Sequence, residues 1–183
     1  MPRRKPSRLM MNSTKPIDLA DKLIDLARGK RLVILFVGNS HRGDDGAAQL
    51  LYRSLRSKVT RMKLLDCGTS PQDYVEKVGE LEPDIIVFVN AIDRSLTPGT
   101  IVLEELHAAD SSGSSLMSHK FPLAWVALLL EVTRRRQDLE IRTMLIGIQI
   151  KSTKGRITIP VLKSADWLLR IFKKLDSIVE LIT

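Results

Sequence analysis

The six residues Leu32–Val37, L-V-I-L-F-V, constrain the fold more than any other stretch of this chain. An unbroken apolar run rich in branched side chains is the pattern of a strand buried on both faces, and such strands belong to parallel sheets with helices on each side. Strand-like and helix-spaced segments then alternate. Residues 46–58 place Ala47, Leu50, Leu51 and Leu55 on one helical face, 62–65 read as a strand, 74–81 as a helix and 84–89 as a third buried strand. Past the turn at Pro98 and Gly99, residues 100–106 alternate like an edge strand that can run antiparallel. Residues 108–118, rich in Ser and Gly, read as a loop, 122–136 as a helix, 141–150 as a strand and 161–182 as a closing amphipathic helix. The expected fold is α/β: a single three-layer α/β/α domain with a mostly parallel twisted sheet and helices on both faces.

With 183 residues and 44% apolar content, the chain is long enough for one core. Pro16–Ala27 has helical spacing, with Gly29 placed to end it. Three parts are expected: a basic, disordered tail over 1–15, an added helix within 16–29, and the main domain over 31–183. The tail holds Arg3, Arg4, Lys5, Arg8 and Lys15 and no acid, so it carries five of the eight net positive charges. The first thirty residues contain no aromatic side chain on which bases would stack, which argues against a nucleic-acid partner. Cys67 is the only cysteine, so no internal disulfide forms and a cytoplasmic location is expected. The apolar runs at Leu32–Val37 and 123–130 fall far short of the roughly 18 to 20 residues that cross a bilayer, so neither membrane insertion nor an export signal is expected.

In open α/β sheets ligands gather at the carboxyl ends of the strands. Three polar loops leave such ends, at 38–46, 66–71 and 90–99, and together with His119 they are expected to meet in one cleft. The first reads G-N-S-H-R-G-D-D-G. Its glycine spacing differs from a dinucleotide fingerprint, and it places two aspartates where a pyrophosphate would sit. No Lys-Ser or Lys-Thr follows Gly43, which excludes a P-loop, and no G-x-S-x-G elbow is present. Cys67 reads as a small buried residue rather than a nucleophile. Carboxylate and imidazole remain, a donor set suited to nickel or zinc. Asp44 has a second reading, as an acid favouring the start of the following helix.

The motifs V-G-N-S-H-R-G-D-D-G at 37–46, L-D-C-G-T-S-P at 65–71, N-A-I-D at 90–93 with P-G-T at 98–100, S-H-K-F-P-L at 118–123 and G-I-Q at 147–149 stand in the order and spacing of a known family. From about Arg31 onward the chain resembles the nickel-iron hydrogenase maturation proteases. The resemblance implies an endopeptidase that removes a C-terminal peptide from the precursor of a hydrogenase large subunit after nickel insertion. The nickel is carried by the substrate. Asp45, Asn90 and His119 are implied around the metal position, with Asp45, His119 and Asp66 as the catalytic set, although Asp66 equally reads as a carboxylate accepting hydrogen bonds in its own loop. The large-subunit precursor is the implied partner, and a monomer is expected. The family position at 90 normally holds aspartate. Asn90 removes one negative charge and with it affinity for a divalent cation. Asp93, an acid three residues further on, could partly compensate; His41, in the first loop, reads either as a replacement donor or as a solvent-facing loop residue, and His107 reads as a surface residue. A different reading is a non-catalytic nickel-checkpoint or chaperone protein of the same fold.

Overall fold

The computed structural model describes residues 16–106, 117–118, 121–122, 126–127, 129–130 and 141–182. The basic tail over 1–15 lies outside them, as do His107 and His119. Helix α1 (Pro16–Ala27) precedes strand β1 (Leu32–Val37). A 3-10 turn at Gly43–Gly46 runs into α2 (Ala47–Leu55), followed by β2 (Lys63–Gly68), a 3-10 turn at Pro71–Tyr74, α3 (Val75–Glu80) and β3 (Ile85–Ile92). Then come β4 (Ile101–Glu105), the two-residue strands β5 (Met117–Ser118) and β6 (Phe121–Pro122), β7 (Arg142–Gln149) and α4 (Ile159–Asp176).

The main sheet has the order β2-β1-β3-β7-β4, in which the first four strands are parallel and β4 runs antiparallel at the edge. Alternation along β1 shows how one apolar run serves two layers. Leu32, Ile34 and Phe36 join the cluster formed with α1, α2 and α4, while Val33, Leu35 and Val37 join the cluster that includes Val78 of α3 and Val126, Ala127 and Leu130. Helices therefore cover both faces, as the sequence predicts. On the first face the Phe36 ring meets Phe172 edge-on, with centroids 6.5 Å apart, and Tyr52 at 5.6 Å. No helix among the described residues is long and apolar enough to cross a membrane.

Several boundaries differ from those read in the sequence. Strand β3 continues to Ile92, so Asn90 is a strand residue, in register with Val37 on one side and Gly147 on the other. Residues 117–118, expected in a loop, and Pro122, expected to begin a helix, pair instead as β5 and β6. The closing helix stops at Asp176 rather than 182. There the Asp176 carboxylate accepts hydrogen bonds from the backbone N–H groups of Thr60, Arg61 and Met62 at 2.8 to 3.1 Å, and the chain doubles back so that Glu180 N–H reaches the Lys30 carbonyl at 2.9 Å. Ile182 is buried in the opposite cluster, a position the continuing helix would not deliver.

Candidate active site

After β1 the chain goes to β2 on one side, and β3 lies on the other, so the connections diverge at the carboxyl ends of β1 and β3. That is the topological switch point at which open α/β sheets bind ligands. A cavity of about 160 Å³ opens there, lined by Gly38 and Asp45 from the first loop, Thr69 from the second, Asn90 to Asp93 from the end of β3, and Ile150 and Thr153 after β7. Pockets for drug-sized ligands run from about 300 to 1,000 Å³, so this one suits a few reacting atoms better than a nucleotide.

Asp45 enters the cavity because the chain folds sharply behind it. The Asn39 N–H donates to the Asp45 carbonyl at 3.2 Å, and a Cβ at position 38 would lie 2.1 Å from that same oxygen, so only glycine permits the closure. Asp45 is 8% exposed and Asn90 4%. No hydrogen bond from a described residue holds the Asn90 side-chain amide, whose oxygen and two N–H donors stand at the end of the central strands. The structure thus brings Asp45 and Asn90 to one cavity, with Asp93 at its rim.

The neighbouring carboxylate does something else. Asp44, fully buried, accepts hydrogen bonds from the backbone N–H groups of Lys151, Ser152 and Thr158 at 2.7, 2.9 and 2.6 Å and from the Thr158 hydroxyl at 3.0 Å. Burial pushes its carboxyl up, but the N–H groups of Thr158, Ser152 and Lys151 and the Thr158 hydroxyl more than offset this and hold it below the usual carboxylate range. It latches the first loop to the β7–α4 loop, a role distinct from favouring a helix start.

Gln149, the last residue of the G-I-Q motif, is 3% exposed. Its amide donates to Asp93 Oδ1 at 3.1 Å and to the Ile150 carbonyl at 3.0 Å, while its own oxygen accepts from Arg94 N–H at 2.8 Å. It therefore fixes the turn that carries Asp93. The G-I-Q motif by itself does not disclose this contact, and the loop after β7 is not among the three loops expected to meet at the cleft. The signal was available, since the rule that picked three loops at carboxyl strand ends applies equally to the fourth parallel strand.

Other expected residues lie apart. Asp66 is half-buried at the end of β2, where its Oδ1 accepts from Gly68 N–H at 3.3 Å and Gln49 Nε2 at 3.5 Å, and it is not among the residues lining the cavity. His41 is exposed, its backbone N–H bonded to Asn39 Oδ1 at 2.9 Å, and it does not line the cavity either. Cys67 is buried. Desolvation and then the Asp66 carboxylate push its thiol well above its ordinary range, which leaves it protonated and unreactive. Among the described residues no three His, Cys, Asp or Glu side chains are grouped to hold a metal.

A doubly wound α/β sheet with a small pocket of carboxylate and amide groups at its switch point defines the class. Residues 47–171 match the hydrogenase maturation protease family model. The Hydrogenase 3 maturation protease of Escherichia coli K12 is 29% identical over 119 residues, covering 64% of this chain and 71% of the relative. The crystal structure of the [NiFe] hydrogenase maturation protease HycI from Thermococcus kodakarensis KOD1 superposes with a TM-score of 0.72 at 28% identity, over 85% of this chain and 99% of that one. The solution structure of the endopeptidase HycI from Escherichia coli gives a TM-score of 0.64 at 25% identity, over 82% and 96%. The chain belongs to the hydrogenase maturation protease family. Its role is in hydrogenase maturation, in a family of protease-type hydrolases.

Proposed function

We propose that this protein is an endopeptidase that removes a C-terminal peptide from the precursor of a [NiFe]-hydrogenase large subunit after nickel has been inserted. The observation that carries the reading is the convergence of Asp45 and Asn90 on one cavity at the switch point. Among the described residues two nearly buried oxygen donors meet there, too few by themselves to hold a cation as resident cofactor, and they fit an ion that arrives with most of its ligands supplied by the substrate. A precursor lacking nickel then offers nothing for them to grip, and cleavage becomes a checkpoint on metal insertion. His119 completes the proposed set of metal-contacting residues. In this reading Asp45 acts as ligand or as general base toward the attacking water, and the substrate's nickel would polarise the scissile carbonyl or activate that water. Asp66 is assigned to shaping the cleft, through the hydrogen bonds it accepts from Gln49 and Gly68.

A specific observation favours a second reading, a non-catalytic checkpoint protein that binds the large subunit. Asn90 brings a neutral amide to a position where the family resemblance implies a carboxylate. Incubation with nickel-loaded and nickel-free precursor separates the two. The endopeptidase reading expects shortening of the loaded form at its C-terminus, seen as a mass loss, with the empty form intact. Cleavage of neither form rejects it, and cleavage that appears only on Asn90→Asp substitution establishes the binding reading.

A further inference from the structure

The net charge of +8 resides in two places. Residues 1–15 hold five basic side chains, residues 151–163 hold four (Lys151, Lys154, Arg156 and Lys163), neither stretch contains an acid, and the remainder of the chain has 20 basic and 21 acidic residues. The second stretch borders the candidate site. It follows directly on Ile150, which with Thr153 lines the cavity. Asp44 fastens its backbone at Lys151, Ser152 and Thr158, and a Cβ at position 43 would lie 2.7 Å from the Ser152 carbonyl, so the loop sits closely against the first one.

On this fastened backbone Lys151, Lys154, Arg156 and Lys163 are all exposed, and none forms an ion pair with a described acid. Four like charges held on one short stretch raise the local positive potential and are relieved by an anionic partner. The same stretch exposes Ile159 at 69% and Leu162 at 39% in the first turn of α4. It contains no aromatic side chain, so it lacks the stacking platform of a single-strand nucleic-acid site. Cations interspersed with exposed aliphatic groups are complementary to a peptide in which acids and aliphatic residues alternate.

We propose that residues 151–163 form a docking surface for an acidic segment of the protein substrate, adjoining the bond that enters the cavity. The proposal rests on the endopeptidase reading for the identity of the partner, and its chemistry is tested apart from cleavage. The probe is a fluorescein-labelled peptide of alternating glutamate and leucine, with its glutamine counterpart as control, titrated against the full chain by fluorescence anisotropy. At low salt the acidic peptide is expected to bind about fivefold or more tightly than the control, an advantage lost in 0.5 M salt. Lys154→Glu with Arg156→Glu should remove that advantage, and Lys173→Glu with Lys174→Glu, the same charge change at the far end of α4, should leave it. Equal loss in both double variants, or none in the first, overturns the proposal. Tighter binding of a polyuridylate of matched charge overturns the choice of partner. The cleavage assay separates the two readings. If the natural chain binds the peptide through this patch yet leaves loaded precursor uncut, the endopeptidase reading falls and the patch stands. If it cuts the precursor and the Lys154, Arg156 variant keeps both KM and peptide affinity, the patch falls and the endopeptidase reading stands.

Discussion

Adjacent aspartates in one loop meet opposite fates, and the difference is a matter of which partners each side chain reaches. Asp44 turns inward to three backbone N–H groups and a hydroxyl of a loop more than a hundred residues away, whereas Asp45 turns to the cavity. Asp44→Asn replaces a charged acceptor with a neutral amide that presents N–H groups to N–H groups, at a cost of about 3 kcal/mol. The pH dependence has a definite sign. A carboxyl held below its ordinary value of 3.8 when folded contributes stability that is complete above that value and is lost as pH falls through the depressed folded pKa. Urea unfolding of the natural chain and of Asp44→Asn between pH 7 and pH 3 should therefore show a difference in stability that is constant at neutral pH and shrinks only at the acid end. Asp84, held down by Arg31 against the cost of its own burial, titrates in the same sense in both proteins and cancels from the comparison.

At the scale of elements, the site is a set of loops clamped from below. The β3–β4 loop is held at one point by Gln149 and at another by the bidentate pair between Arg94 and Glu104 of β4. Gln149→Met keeps the volume and deletes three hydrogen bonds, leaving the Arg94 N–H and the Ile150 carbonyl without those partners. The expected cost is about 2 to 4 kcal/mol. The more diagnostic readout is amide exchange at Arg94, which should accelerate while exchange at residues in the middle of β1 is little changed, because local opening of the turn precedes global unfolding. Uniform acceleration across the sheet would show that Gln149 supports the core instead of the turn. The loops at 38–46, 66–71 and 90–99 were legible as site-bearing because polar residues and glycine followed buried strands. The end of β3 lies at Ile92 instead of the expected Val89, since a strand that is apolar up to Val89 can continue through a polar residue when sheet register, not side-chain hydropathy, dictates pairing.

For the molecule as a whole, α1 lies ahead of the residues matched to the family, yet Leu19, Leu23, Ile24 and Ala27 are buried in the same cluster as β1, α2 and α4. It is part of the fold. Leu23→Ala should cost about 2 to 5 kcal/mol in thermal or urea unfolding, the range for deleting a buried leucine, and a change below 1 kcal/mol would show that the helix is dispensable to the domain. Local pattern alone marked the buried strands, their alternation with helices, an edge strand and the polar loops at carboxyl strand ends, because hydrophobic periodicity and turn chemistry act over a few residues at a time. Contacts between distant residues lie beyond that reach. Tertiary structure decided that Asp44 latches one loop to another while Asp45 lines the cavity, that Gln149 sets the Asp93 turn, and that a basic loop after β7 adjoins the cavity, since each depends on which groups the sheet order brings close together.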